Sequence, residues 1–132
     1  MTASIDPSVW AGVSGAIAAY AHALDSGRPD DVAATFVADG VSEILGFGTF
    51  EGRRGISEGY AAFAPSRPQL HLVANTVVTP TGPEEATAVS SLAFFALGEN
   101  GWSLQMTGRY DDTLVLERGR WLFSHRVTSL AP

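Results

Sequence analysis

Cysteine is absent from the 132-residue chain, which excludes disulfide frameworks, zinc ribbons, thiol nucleophiles and iron–sulfur ligation together. Basic residues are scarce. Eight Lys and Arg against fourteen Asp and Glu give a formal net charge of −6 and a pI near 4.8, so the composition offers no attraction for phosphate backbones or anionic lipid. Neither nucleic acid nor a membrane surface is expected as a partner. No apolar run reaches the roughly 18 residues that cross a bilayer, and Met1 to Pro7 hold one acid, no base and no apolar core of the signal-peptide kind. A cytoplasmic location is the expectation.

Sequence motifs are missing as well. No Gly-x-Gly-x-x-Gly follows a strand, and there is no phosphate-loop Gly-Lys-Ser/Thr, Gly-x-Ser-x-Gly elbow or His-Glu-x-x-His. His22, His71 and His125 lack metal-ligand spacing. Neither a metal nor another cofactor is expected. What remains is ample material for a core: 45% apolar and 10% aromatic residues in a length that suits one domain.

The first half of the chain carries helical spacing. Asp6-Pro7 is a start signal, and Trp10, Val13, Ile17, Tyr20 and Leu24 form one apolar stripe that ends near Asp25-Ser26-Gly27. A second helix is predicted from Pro29-Asp30-Asp31, with Val32, Thr35 and Phe36 facing inward and its end before Asp39-Gly40. Gly40 to Gly48 is β-prone, Thr49 to Gly52 extends it or pairs with it, and Arg53 to Ala64 returns to helical spacing until Pro65.

Long strands then follow at Gln69 to Thr79, Ala86 to Leu97, Trp102 to Leu116 and Arg120 to Leu130, separated by short turn-forming segments. Connections this short predict an antiparallel meander. Helices followed by a curved sheet define an α+β architecture, and a twisted sheet wrapped on a helix leaves a conical hollow for a small ligand. The outer face of that sheet, with Thr87, Val89, Ser91 and Phe95, suggests a homo-oligomer, a homodimer or, as the family resemblance given below implies, a homotrimer.

Polar residues aimed into the hollow are the candidates for chemistry. Tyr20 lies on the buried stripe, so its hydroxyl needs a partner. In His71-Leu72-Val73-Ala74-Asn75, period-two alternation puts His71, Val73 and Asn75 on one face. A lone histidine there reads as a satisfied core residue; a carboxylate beside it makes it a base. Asp25, at the end of the helix expected to cross the sheet, is the candidate partner, or else an ordinary turn residue. An imidazole suits proton abstraction near neutrality, and an aspartate on its far nitrogen fixes the tautomer and stabilises the imidazolium.

The string Tyr20-x4-Asp25-Ser26-Gly27, Asp39-Gly40, Gly46 to Gly52, His71 to Asn75, Gly108-Arg109-Tyr110-x-Asp112 and Gly119-x-Trp121 resembles the SnoaL-like branch of the nuclear transport factor 2-like superfamily. The resemblance spans nearly the whole chain. It implies a single domain over residues 1–132, a cystatin-like cone-shaped antiparallel sheet wrapped around N-terminal helices. The pattern is similar to scytalone dehydratase, bile-acid 7α-dehydratase and hexachlorocyclohexane dehydrochlorinase, which share an aspartate–histidine pair. Asp25 and His71 fall on that pair, and Tyr20 falls where a tyrosine of the bile-acid enzyme binds and polarises substrate.

The resemblance thus implies a cofactor-independent lyase, of dehydratase type, acting on an apolar ring compound such as a polyketide, steroid or terpenoid. Asn75, Tyr110 and His125 are candidates for hydrogen bonds to it from the opposite wall. Some positions depart from the pattern. The second pocket histidine of scytalone dehydratase is replaced within Val89-Ser90-Ser91, leaving that role vacant or to Ser90. Leu45 stands where ketosteroid isomerases carry a base, with Glu43 nearby. SnoaL-like cyclases use a strand aspartate, for which Asp111 or Asp112 qualifies, only one of them facing the hollow. The competing readings are a cyclase or isomerase using that aspartate, and a small-ligand-binding or assembly domain without chemistry; a wide separation of Asp25 from His71 would favour the last.

Overall fold

The computed structural model describes residues 4–131. Helix α1 spans Pro7–Asp25; the Asp6 carboxylate caps it by accepting the Ser8 amide at 2.8 Å. Val13, Ile17 and Tyr20 of the expected stripe are buried, whereas Trp10 stays 43% exposed at the end of the stripe. The helix lies close on the sheet at Gly12, where a Cβ would collide with the Trp121 indole.

Helix α2 covers only Pro29–Ala33, and β1 runs Phe36–Ile44, so Asp39 and Gly40 sit inside a strand and not at a helix stop. Tertiary pairing decides this. The Thr35 carbonyl accepts the Phe123 amide at 2.9 Å, and the Phe36 and Phe123 rings pack in a tilted pair with centres 5.2 Å apart, which draws the chain into the sheet one turn earlier than its spacing suggests. Strand β2, Gly48–Glu51, pairs antiparallel with β1 as expected, and α3, Gly52–Tyr60, continues through a short 3-10 turn at Ala61–Phe63.

Strands β3 (Gln69–Gly82), β4 (Glu85–Gly98), β5 (Gly101–Glu117) and β6 (Arg120–Ala131) form the predicted antiparallel meander. The sheet order is β2-β1-β6-β5-β4-β3. Its one parallel pairing, β1 on β6, joins the two halves of the chain and was not visible in the strand spacing. The helices cover the concave face of this mixed α+β sheet, and the core lies between them: Val13, Ile17 and Tyr20 meet Phe36, Leu92, Tyr110 and Phe123.

Two cross-strand rows on the concave face set the site. One places Ala88, Asp112, Arg126 and Ser42 side by side; the next places Ser90, Tyr110, Thr128 and Ile44. Neighbours in a row are on the same face because facing residues of paired strands share their side of the pleat. Within the described residues no helix is long and apolar enough to cross a membrane.

Candidate active site

Between α1, α3 and the concave face of the sheet lies a cavity of about 230 Å³. Its walls are apolar, with Leu24, Phe47, Phe63, Leu92, Phe94, Met106 and Leu130; its polar groups are Tyr20, Tyr60, Gln69, His71, Tyr110 and Thr128. A second groove, of about 390 Å³, runs outside, between α1 and the edge strand β3. His71 borders both hollows.

The last residue of α1 meets the start of β3. His71 Nδ1 lies 2.5 Å from Asp25 Oδ1, the His71 amide donates to Oδ2 at 2.7 Å, and Gln69 Nε2 donates to Oδ1 at 3.1 Å. Both side chains of the pair are 13% exposed. Burial works to raise the Asp25 pKa, but the bonds from the His71 ring and amide and from Gln69 prevail and hold it below the usual carboxylate range. An ionised carboxylate only accepts, so Nδ1 carries a proton toward it and Nε2 is the ring nitrogen turned away from the carboxylate. The imidazole is clamped from the side by Phe94, stacked at 4.6 Å. Sequence reasoning found the pair but missed Gln69, whose role depends on alternation bringing it beside His71 on the inward face of β3.

Tyr20 lies inside the cavity wall with its hydroxyl 2.5 Å from that of Tyr60, which in turn is 2.6 Å from Ser42 Oγ. Burial pushes both phenols above their ordinary pKa, Tyr20 the more strongly, so both are protonated and able to donate. Tyr110 borders the same space, and its phenol is likewise raised by burial. Beneath these rings Arg126 is fully buried, its guanidinium 3.5 Å from the Tyr110 ring centre and 4.3 Å from that of Tyr20.

Four expected positions are corrected, while of the two strand aspartates only one, Asp112, faces inward, as expected. Asn75 does not share the face of His71: it adopts φ 56°, a left-handed conformation asparagine tolerates, within a break in the β3–β4 register, so alternation slips and Thr76 turns inward in its place. Asn75 is exposed on the outer groove. Ser90 is buried on the concave face but is held by Thr76 Oγ1 at 2.8 Å and does not line the cavity. Asp112 faces inward one row below the cavity, where Arg126 Nε and Nη2 grip it at 2.8 and 3.0 Å. His125 points to the outer face, 3.5 Å from Glu43, so neither enters the cavity. Asp111 is half-buried on the outer face and paired with Arg109.

Among the described residues no three His, Cys, Asp or Glu side chains converge as metal ligands. The arrangement is a small, largely apolar hollow with an imidazole whose Nδ1 is held by a carboxylate, and phenol donors in the same walls. Such a class of protein, a helix-filled curved sheet with a ligand-sized hollow, is matched by sequence: residues 11–127 match the SnoaL-like domain, and the chain belongs to that family. No curated protein matches the chain.

Solved structures share the fold at low identity. A protein of unknown function with a cystatin-like fold from Nostoc punctiforme is 18% identical with a TM-score of 0.86, covering 98% of this chain and 96% of that one. A candidate scytalone dehydratase from Novosphingobium aromaticivorans is 20% identical with a TM-score of 0.81, over 94% and 85%. A Catenulispora acidiphila protein in complex with S-DNPA is 22% identical with a TM-score of 0.83, over 95% of each chain.

Proposed function

We propose that the protein is a cofactor-independent lyase of dehydratase type acting on a small apolar ring compound. The observation that carries this reading is the Asp25–His71 hydrogen bond of 2.5 Å at the wall of an apolar cavity. His71 Nε2 removes a proton from a carbon next to a carbonyl, and that C–H electron pair becomes the new C=C bond as the C–O bond of the neighbouring hydroxyl breaks. The departing oxygen takes the proton back from the imidazolium and leaves as water. Asp25 orients the ring and stabilises its charged form, and Tyr20 polarises the substrate oxygen.

The apolar walls strengthen each of these electrostatic contacts by excluding water. A volume of about 230 Å³ lies below the roughly 300–1,000 Å³ of sites for drug-sized ligands, which supports one or two fused rings over a four-ring steroid. The family, the likeness in fold to a candidate scytalone dehydratase, and the small molecule S-DNPA held by another fold relative agree with this reading. A strand aspartate as acid or base is disfavoured, because Arg126 occupies Asp112 and Arg109 occupies Asp111.

The test is incubation with hydroxylated aromatic and alicyclic ketones, followed by mass spectrometry. Loss of one water from a substrate by the native protein is expected. His71→Gln and Asp25→Asn are each expected to lower turnover by about four orders of magnitude, as loss of the orienting acid does in hydrolase triads, with unchanged circular dichroism. Undiminished turnover in either variant overturns the mechanism.

A further inference from the structure

The Asp25 carboxylate holds two residues of the cavity wall and not one. Gln69 and His71 stand two apart on β3, so alternation turns both to the concave face, where both line the cavity. Their side chains converge on the same oxygen: His71 Nδ1 lies 2.5 Å and Gln69 Nε2 lies 3.1 Å from Asp25 Oδ1. The second contact fixes which way round the Gln69 amide stands. Asp25 stays ionised despite its burial because of the bonds it accepts, and an ionised carboxylate only accepts. The carboxamide must therefore turn its NH2 group to Asp25 and its Oε1 away.

That oxygen is left over. The one side-chain hydrogen bond of Gln69 among the described residues is the bond its nitrogen gives to Asp25, and the residue is only partly buried at the cavity wall. The neighbouring polar groups are of another kind. Tyr20, Tyr60, Tyr110 and Thr128 carry hydroxyls, which both donate and accept, whereas a carboxamide oxygen only accepts. A ligand that fills an apolar cavity excludes water from Oε1, so it must bring a donor of its own or leave an acceptor unpaired.

We infer that Gln69 is a specificity-determining residue whose carboxamide oxygen, oriented by Asp25, accepts a hydroxyl of the ligand beside His71, so that the substrate class is a cyclic alcohol and not a ring bearing acceptors alone. This deepens the dehydratase reading, which needs a hydroxyl as the departing group, and rests on its choice of cavity. One carboxylate then sets both the orientation of the base and that of the group that recognises the hydroxyl.

The probes are 1-indanol and 1-indanone, two-ring compounds of nearly equal size of which only the alcohol donates a hydrogen bond. In calorimetric titrations the native protein is expected to bind the alcohol at least about tenfold more tightly, the discrimination that an unpaired acceptor imposes. Gln69→Met keeps the length of the side chain and removes the oxygen, and the preference is expected to disappear. In Asp25→Asn the partner both donates and accepts, so the Gln69 amide is no longer compelled to present its oxygen; the preference is expected to fall several-fold with unchanged circular dichroism. One readout needs no variant: the carbon-13 resonance of the Gln69 side-chain carbonyl is expected to move on saturation with 1-indanol and not with 1-indanone. None of these measurements involves turnover, so a protein that dehydrates no hydroxy ketone yet keeps a Gln69-dependent preference supports this inference while refuting the dehydratase reading. Binding of neither probe, equal affinities in the native protein, a full preference in Gln69→Met or in Asp25→Asn, or the same carbonyl shift with both probes overturns the inference.

Discussion

Removing the Asp112 carboxylate is expected to destabilise the whole protein and not merely its activity. Arg126 is fully enclosed, and Asp112 satisfies two of its nitrogens at 2.8 and 3.0 Å while the third, Nη1, has no partner among the described residues. Asp112→Ala therefore leaves a buried cation with stacked rings but no counter-charge. Breaking one side of a buried pair costs about 3–5 kcal/mol, a large share of the ~5–15 kcal/mol that holds a domain of this kind together. The thermal midpoint of a 132-residue chain falls by roughly 10–25 °C in consequence. Urea unfolding followed by circular dichroism gives the free energy directly. The double replacement Asp112→Leu with Arg126→Met removes both charges and is expected to regain most of the loss. A cost in Asp112→Ala below about 1 kcal/mol, the worth of an exposed ion pair, would refute the reasoning.

Acid sensitivity follows from Asp25. Its carboxyl is held below its unfolded value, so the stability it contributes is complete above about pH 4 and is lost as pH falls through the folded pKa; the stability gap between the native protein and Asp25→Asn should close over that acid range, and a gap that widens there contradicts the assignment. On the outer face, Leu70, Leu72, Val77, Trp102 and Leu104 are each 40% exposed or more. We read this apolar area as the seat of a second copy of the chain; sedimentation should show a dimer or trimer that Leu72→Lys with Trp102→Glu converts to monomer, and a native monomer rejects the reading.

The pairing of Asp25 with His71 was legible because both positions follow from local rules: a helix end set by apolar spacing and a strand whose alternation turns His71 inward. The meander was legible for the same reason, since its turns are short and rich in Gly and Pro. Asn75 failed where a register break put an asparagine into a left-handed conformation, which reverses alternation without any glycine to announce it. Asp112 was placed on the correct face, yet its neutralisation by Arg126 comes from cross-strand register, which spacing along one strand does not contain. Within the helical spacing of Arg53 to Ala64, Tyr60 reads as one more apolar-stripe residue beside Ile56 and Phe63. Only when α3 is laid against β1 and α1 does its hydroxyl join Ser42 and Tyr20, so the chain of donors had no signature in any single segment.

The claim on which the mechanism turns is that His71 is held by Asp25 with Nδ1 protonated and Nε2 bare toward the cavity. NMR of nitrogen-labelled histidine at mildly alkaline pH reads the protonation of each ring nitrogen. The expected spectrum shows one imidazole with its proton fixed on Nδ1, strongly deshielded by the carboxylate, and Asp25→Asn removes that signal. A ring protonated on Nε2, or one whose two nitrogens average as in free imidazole, would contradict it.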